Sequence, residues 1–549
     1  MSRNTDSHFG NTPSKNIGRS SFKMPFTHST TCNTGDIIPI YAQEYLPGDT
    51  AKVKLSLLVR MQTPIAPVMD NAWIDTYFFA VPRRLVWEHW KEFMGENTTD
   101  AWTEETEYQI PQLVIPSGGF AKGTIGEKLY GLQGRAGGLK VDACYTRAYT
   151  LVYNEWFRNQ NVTEPAELSK GDTDTQGSNG SSYVTDLQKG GMPAKAVKYA
   201  DYFTRALPEP QKGPDVYLPL GTSAPVYSDA AVDNTKFVVA GSGMRFKHPD
   251  GSLIHGRSHI GVDGTSQTLI QVDDFADIPD NRPTLAPTNL KADLSEASAA
   301  TINQLRQAFA VQRMYEVDAR GGTRYTEILR AHFGVISPDA RQQRPEYLGG
   351  KRVPINISQV IQQSATDNTS PQGTAAAYSL TIDSDDMFTK SFDEHGILIG
   401  LAVIRTEHTY QQGLARQFSR KNRVDFYWPE LSNIGEQYIK NKEIFAQGTA
   451  EDEEAFGYQE AWAEYRYANN KVTGELNSDY AQSLDLWTYA DDYSQLPILS
   501  DEWIRETSSN VSRTLAIKNQ DQFLLNMYFD QTWIRPMPIY SIPSLTGWN

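Results

Sequence analysis

Between residues 416 and 428 the chain interleaves cations with rings: Arg416, Phe418, Arg420, Lys421, Arg423, Phe426, Tyr427 and Trp428. Guanidinium and ammonium groups meet phosphate while aromatic faces stack on unpaired bases, so this mixture suits single-stranded nucleic acid. The same alternation also fits an edge strand with basic positions in water and rings in a core. His248, His255 and His259 crowd together, and the last two stand four apart as helical metal ligands do. Gly256 and Gly261 argue against a helix there, which leaves exposed loop histidines. Asp383, Asp385 and Asp386 have part of a calcium-loop spacing, but Met387 stands where a ligand is needed and no glycine turn follows. Surface acids are the better reading. The run Glu451, Asp452, Glu453 and Glu454 reads as a solvated loop or helix start. No phosphate-binding glycine loop, nucleophile elbow or His-Glu-x-x-His run occurs. Cys32 and Cys144 are too few for a disulfide framework or a cysteine zinc site. No catalytic group, metal or cofactor is expected.

Charge sets these residues in context. The chain of 549 residues has a net charge of −15, which excludes a protein that coats nucleic acid with its whole surface. The charge is uneven. Residues 1–31 carry Arg3, Lys15, Arg19 and Lys23 against Asp6, whereas residues 438–506 hold five basic and fifteen acidic side chains. One part of the chain can therefore face a polyanion while another faces solvent. No apolar run approaches the about 18 residues that would span a bilayer, and the polar first 18 residues lack a secretion signal. A protein made in a reducing cytoplasm, without membrane insertion, is expected.

The elements that must position these groups are mostly strands. Val53, Leu55, Leu57, Val59 and Met61 alternate with polar residues, a period of two with one buried face, and Leu58 breaks the polar side, which is expected to be partly covered. Residues 73–81 read as a second strand, bounded by Pro82. Leu85, Val86, His89, Trp90, Phe93 and Met94 form a helical stripe that Gly95 is placed to stop. Residues 397–404 and 523–529 are near-continuous apolar runs suited to strands covered on both faces. Residues 166–191 are a loop by composition. Residues 213–293, rich in Gly and Pro with short β-type runs at 236–240 and 268–272, read as an inserted excursion. Asp293 and Glu296 could cap a helix through Ile302, Leu305 and Phe309, closed by Gly321 and Gly322, before a shorter helix over 325–333. Twenty-nine prolines and forty glycines fit long loops on one β-scaffold. An antiparallel sandwich or jelly roll whose early and late strands share a core accounts for this order, as such scaffolds tolerate long insertions.

Several longer runs carry a family resemblance. Phe22-Lys-Met-Pro-Phe-Thr-His-Ser-Thr30, Ala72-Trp-Ile-Asp-Thr-Tyr-Phe-Phe-Ala-Val-Pro-Arg-Arg84 and Asp201-Tyr-Phe-Thr-Arg-Ala-Leu-Pro-Glu-Pro-Gln211 resemble the major capsid protein of microviruses, in the gokushovirus branch. So do Gln304-Leu-Arg-Gln-Ala-Phe-Ala310, Gly322-Thr-Arg-Tyr-Thr-Glu327 and Asp425-Phe-Tyr-Trp-Pro-Glu430, and the likeness runs in order along nearly the whole chain. It implies an all-β core, an eight-stranded antiparallel jelly roll with very large loop insertions containing short helices. It also implies a T=1 icosahedral homo-oligomer around circular single-stranded DNA, assembled in the host bacterial cytoplasm and ending in the virion. An internal scaffolding protein, a DNA pilot protein and a bacterial surface receptor are the implied partners.

The expected domain map is a basic arm over 1–31, the first part of the jelly roll over 32–212, a surface protrusion over 213–293, and helices, remaining strands and tail over 294–549. Candidate DNA contacts on the inner surface are Arg19, Lys23, Arg416, Arg420, Lys421 and Arg423. Phe237, Val238 and Val239 are candidates for packing within the protrusion. Two other classes stay open. A phage spike or receptor-binding protein would decorate a shell without needing a basic interior arm. A carbohydrate-active β-sandwich would use the 11 tryptophans and 28 tyrosines, but most such proteins carry a secretion signal.

Overall fold

The computed structural model describes residues 18–96, 107–214, 216, 226–228, 290–292, 302–336, 343–364, 372–373 and 375–540. Nine strands build the scaffold: β1 (Ser20–Lys23), β2 (Phe26–Cys32), β3 (Ile38–Tyr45), β4 (Thr50–Met61), β5 (Ala72–Pro82), β6 (Glu346–Pro354), β7 (Thr381–Ser391), β8 (Gly396–Thr406) and β9 (Phe523–Arg535). β9 pairs with β1 and β2 on one edge and with β4 on the other, and β4 pairs with β7. The second sheet has the order β6, β5, β8, β3, and every pairing in both sheets is antiparallel. The early strands thus hydrogen-bond to strands more than 300 residues later, as the sequence pattern requires of a single scaffold.

The two sheets enclose one core. β4 buries Ala51, Val53, Leu55, Leu57, Val59 and Met61 on alternate positions, and Leu58 on the other face is half-buried, as expected. β8 is buried along its length because it has a layer on each side. Leu398, Ala402 and Ile404 enter the core between the sheets, while Ile397, Ile399, Leu401 and Val403 meet a second cluster. Helix α1 (Cys144–Val152) covers that second face with Cys144, Ala148, Tyr149, Leu151 and Val152, and the Tyr149 hydroxyl donates to the Ile37 carbonyl at 2.7 Å. Gly400 is required here. A Cβ at this position would stand 2.7 Å from the Tyr41 Cβ and 2.8 Å from the Phe78 ring, beside the point where the β8–β3 register shifts.

β9 departs from the expectation of a doubly covered strand. Phe523, Leu525, Met527 and Phe529 are buried, while Leu524 and Tyr528 are exposed. The first sheet lies at the edge of the chain's own layers, and Asn526 in mid-run already marks the exposed side. The helix expected over 85–94 is also reduced, to a single-turn 3-10 segment Arg83–Leu85 and one α-turn, Trp90–Phe93. Leu85, Val86 and Trp87 are all buried, and three consecutive positions spread over more of a helix than one apolar stripe covers. The chain also folds around the buried Arg83, which pairs with Asp142 at 2.7 Å and Glu44 at 3.2 Å. Gly95 does end the turn, with a φ of 98°. Helices Ile302–Gly321 and Tyr325–Phe333 occur as expected, the latter closed by Gly334 in the left-handed conformation. Asp293 and Glu296 lie outside the described residues.

The chain divides into two compact units, Met1–Lys212 with Glu316–Asn549, and Gly213–Tyr315. Within the second, Val226–Ser228 pairs antiparallel with Leu290–Ala292. Phe237, Val238, Val239, His248, His255, His259 and the short runs at 236–240 and 268–272 lie outside the described residues.

Candidate functional site

The cation-and-ring segment is not a strand. It winds through three single-turn 3-10 segments, Arg416–Phe418, Arg423–Asp425 and Pro429–Leu431. Asp425 fixes the middle turn by accepting from the backbone N–H groups of Lys421 and Asn422, both at 2.7 Å. Those two bonds hold its carboxyl below the usual range. The Trp428 indole N–H donates to the Arg423 carbonyl at 3.0 Å, and Pro429 starts the third turn with its φ already set. The edge-strand reading, with rings in a core, is thereby corrected. Phe418 is 67% exposed, and Phe426, Tyr427 and Trp428 also reach solvent.

The four cations divide into two kinds. The Arg416 Nε stands 3.6 Å from Glu443, and its Nη2 donates to the Tyr438 carbonyl at 2.8 Å. Glu443 is buried, which pushes its carboxyl up against the pull of Arg416. It also accepts from the Tyr202 hydroxyl at 2.9 Å. Arg420 pairs with Glu464 at 3.1 Å and lies over the Tyr465 ring at 4.6 Å and the Phe426 ring at 5.2 Å. Both guanidinium groups are therefore neutralised within the chain. Lys421 and Arg423 are exposed, and Arg423 lies 4.5 Å over Trp428. These two have charge to spare for an anion. Sequence reasoning missed Glu443, Glu464, Tyr202 and Tyr465, which lie far along the chain. The acid-rich stretch after residue 438 was the signal for the two glutamates, and Tyr202 stood in the Asp201–Gln211 motif without a role.

The amino-terminal cations sit elsewhere. Much of residues 20–31, expected within the basic arm, lies in strands β1 and β2 on the edge of the first sheet. Lys23 lies opposite Thr532 and 3.4 Å from Asp530, and Arg19 is exposed beside Gly48. Alternation of Phe22 and Phe26 with polar neighbours provides the face that packs there. No contact joins these two cations to the 416–423 segment among the described residues.

Elsewhere the titratable groups are structural. Asp383 and Asp385, opposite Leu57 and Leu55, both meet Lys351 of β6, at 2.9 and 3.0 Å, while Asp386, opposite Lys54 on the other face of β7, lies 3.7 Å from Lys52. The Glu451–Glu454 run forms a 3-10 turn in which Asp452 accepts from the N–H groups of Gln447 and Gly448. His408 resembles a catalytic histidine in being buried between carboxylates, but both of its nitrogens are used. Nδ1 meets Asp491 at 2.9 Å and Nε2 meets Glu506 at 3.1 Å. No ring nitrogen is left to move a substrate proton. Among the described residues no group of three or more His, Cys, Asp or Glu is placed to hold a metal, and no helix is long and apolar enough to cross a membrane.

A two-sheet scaffold whose mass lies in loops, with its ionisable clusters spent on internal pairs, defines a structural subunit that works through its surfaces. The chain belongs to the capsid protein (F protein) family, which matches residues 10–545. It is 42% identical to capsid protein VP1 of Spiroplasma virus 4 over 96% of each chain. It is 40% identical to capsid protein VP1 of Bdellovibrio phage phiMH2K, over 100% of this chain and 99% of the relative. With capsid protein VP1 of Chlamydia phage 1 it shares 36% identity, over 98% and 97%. The microvirus resemblance drawn from its motifs therefore holds, and the chain is a structural protein of phage virions, not an enzyme.

Proposed function

We propose that this chain is the major coat subunit of a T=1 icosahedral shell that encloses circular single-stranded DNA, and that its core is an eight-stranded jelly roll. What supports the jelly roll is strand order. With β1 and β2 taken as one interrupted strand, each four-stranded antiparallel sheet alternates early and late segments, the signature of a double Greek-key return. The observation that carries the shell is the near full-length likeness to three VP1 capsid proteins. Support for DNA contact is the exposed pair Lys421 and Arg423 among exposed rings in an acidic chain. Arg19 and Lys23 are the second candidate contact, and Arg416 and Arg420 contribute through the shape of the loop. The excursion over 213–293 forms the outward protrusion, with Phe237, Val238 and Val239 packing copies together, and meets a receptor on the bacterial surface. An internal scaffolding protein and a DNA pilot protein assist assembly in the host cytoplasm.

The test is assembly of the purified chain with circular single-stranded DNA, followed by negative-stain microscopy and nuclease treatment. Uniform small shells holding nuclease-protected DNA are expected. Monomers or isolated trimers that never close would indicate a spike and would overturn this reading.

A further inference from the structure

Between β6 and β7 the chain forms a hairpin in which Ile357–Ile361 pairs antiparallel with Ala375–Ser379, without a shift of register. These two strands make a sheet of their own, so among the described residues no strand lies along the outer edge of Ile357–Ile361. Ser358, Gln359, Val360 and Ile361 are exposed, the last two at 47% and 48%. A strand edge with unpaired N–H and C=O groups is a template for a further strand, and folded proteins blunt such edges with charge, proline or a bulge. This edge has none of the three: residues 355–364 hold no charged residue and no proline, and the pairing is regular. The segment is also self-complementary. About Gln359, Ile357 mirrors Ile361, and the polar Asn356 mirrors Gln362.

We infer that Ile357–Ile361 pairs antiparallel with the same strand of a second copy across a two-fold axis, joining two hairpins into one four-stranded sheet. The inference rests on the reading that the chain closes into an icosahedral shell, where a two-fold contact must be self-complementary. In this register Gln359 lies opposite its own equivalent, Ile357 opposite the partner's Ile361, and Ser358 opposite the partner's Val360. Side chains alternate along a strand, so the isoleucines of both copies share one face. On the other face Val360 meets the partner's Ser358 and, one strand further, the partner's Tyr378, since Tyr378 lies opposite Ser358 within each hairpin. The contact pairs the free backbone edge and covers apolar side chains that a lone subunit leaves in water. No like charges oppose it, because neither strand of the hairpin is charged.

The experiment is a register-specific crosslink in shells formed from the purified full chain with circular single-stranded DNA. Directly opposed residues of antiparallel strands stand about 4.5–5.5 Å apart at Cα, inside the ~4.4–6.8 Å that a disulfide spans. Ser358 and its equivalent are diagonal, at roughly 7–8 Å. After mild oxidation, Gln359→Cys should run largely as covalent dimers on a gel without reductant. Ser358→Cys and wild type should run as monomers, Cys32 and Cys144 being buried. Val360→Lys, which blunts the edge at an exposed position, should cut shell yield roughly tenfold and leave the melting temperature of the unassembled chain unchanged. Gln359→Cys shells that stay monomeric on the gel, equal crosslinking of Ser358→Cys, or Val360→Lys shells at wild-type yield would each overturn the strand pairing while leaving the shell standing. Crosslinked dimers of Gln359→Cys with no shells from any chain would keep the pairing and remove the shell reading. Neither shells nor crosslink would remove both.

Discussion

His408 is gripped by carboxylates on both sides, and the consequences are measurable. Burial alone would lower its pKa, but Asp491 and Glu506 outweigh burial and push it up to about 10 from the usual 6.5. Asp491 is held down in turn by His408 and Lys198, with Asn510 and the Tyr493 hydroxyl donating to it. Lys198 also lies 4.5 Å over the Trp503 ring. A pKa raised by folding contributes stability that is complete below the unfolded value near 6.5 and is lost as pH rises through about 10. The melting temperature of the unassembled chain should therefore fall between pH 7 and 11, and the His408→Gln variant should lose most of that slope. Removing one partner of this buried set, as in Asp491→Asn, should cost ~3–5 kcal/mol in denaturant unfolding because the remaining charges stay buried. In the loop over residues 416–428 the same logic separates cations that resemble each other in sequence. Arg416→Gln should destabilise the chain by about 1–3 kcal/mol by unpairing Glu443, whereas Arg423→Gln should leave stability within about 0.5 kcal/mol.

The strands carry the energetics of the scaffold. Phe529 on β9 is fully buried, with ring centroids 4.9 Å from Phe26, 5.1 Å from Tyr41 and 6.5 Å from Phe78, so it ties together strands of both sheets. Phe529→Ala should cost ~3–5 kcal/mol through lost burial and a residual cavity. Leu524→Ala, five residues away on the opposite face, should change the stability of the monomer by about 0.5 kcal/mol or less. Equal losses at the two positions would show that β9 is covered on both faces after all. On β8, Gly400→Ala should destabilise in the overpacking range of about 1–3 kcal/mol, because Tyr41 and Phe78 are held from both sheets and cannot withdraw independently.

At the scale of the whole molecule, the family places the chain in a shell, and a subunit of a closed shell must meet its neighbours through surface patches. Replacing residues 215–291 by a short Gly/Ser linker should leave particle yield intact and abolish adsorption to host cells, scored by microscopy and a binding assay. Shells that adsorb normally would remove the attachment role, and absent shells would make the segment part of the lattice. Neutralising Lys421 and Arg423 together should lower the salt slope of single-strand binding by about 0.7 per cation, and an unchanged slope would exclude them as phosphate contacts.

Much of the scaffold was legible before any coordinates, because period-two burial is a local property of sequence. β4, β5 and β8 declare themselves through which residues alternate and which do not. The capsid family was legible too, through long motifs in order. Two things were missed. Reading β8 and β9 alike as apolar runs passed over Asn526, the one polar mark of an exposed face on β9, and the second cover of β8 is made by α1, which packs on that sheet. Nor could the sequence sort four neighbouring cations into two that are neutralised and two that are exposed. That division depends on Glu443 and Glu464, carboxylates from a distant acidic stretch that only the tertiary fold brings within an ion pair's reach of Arg416 and Arg420.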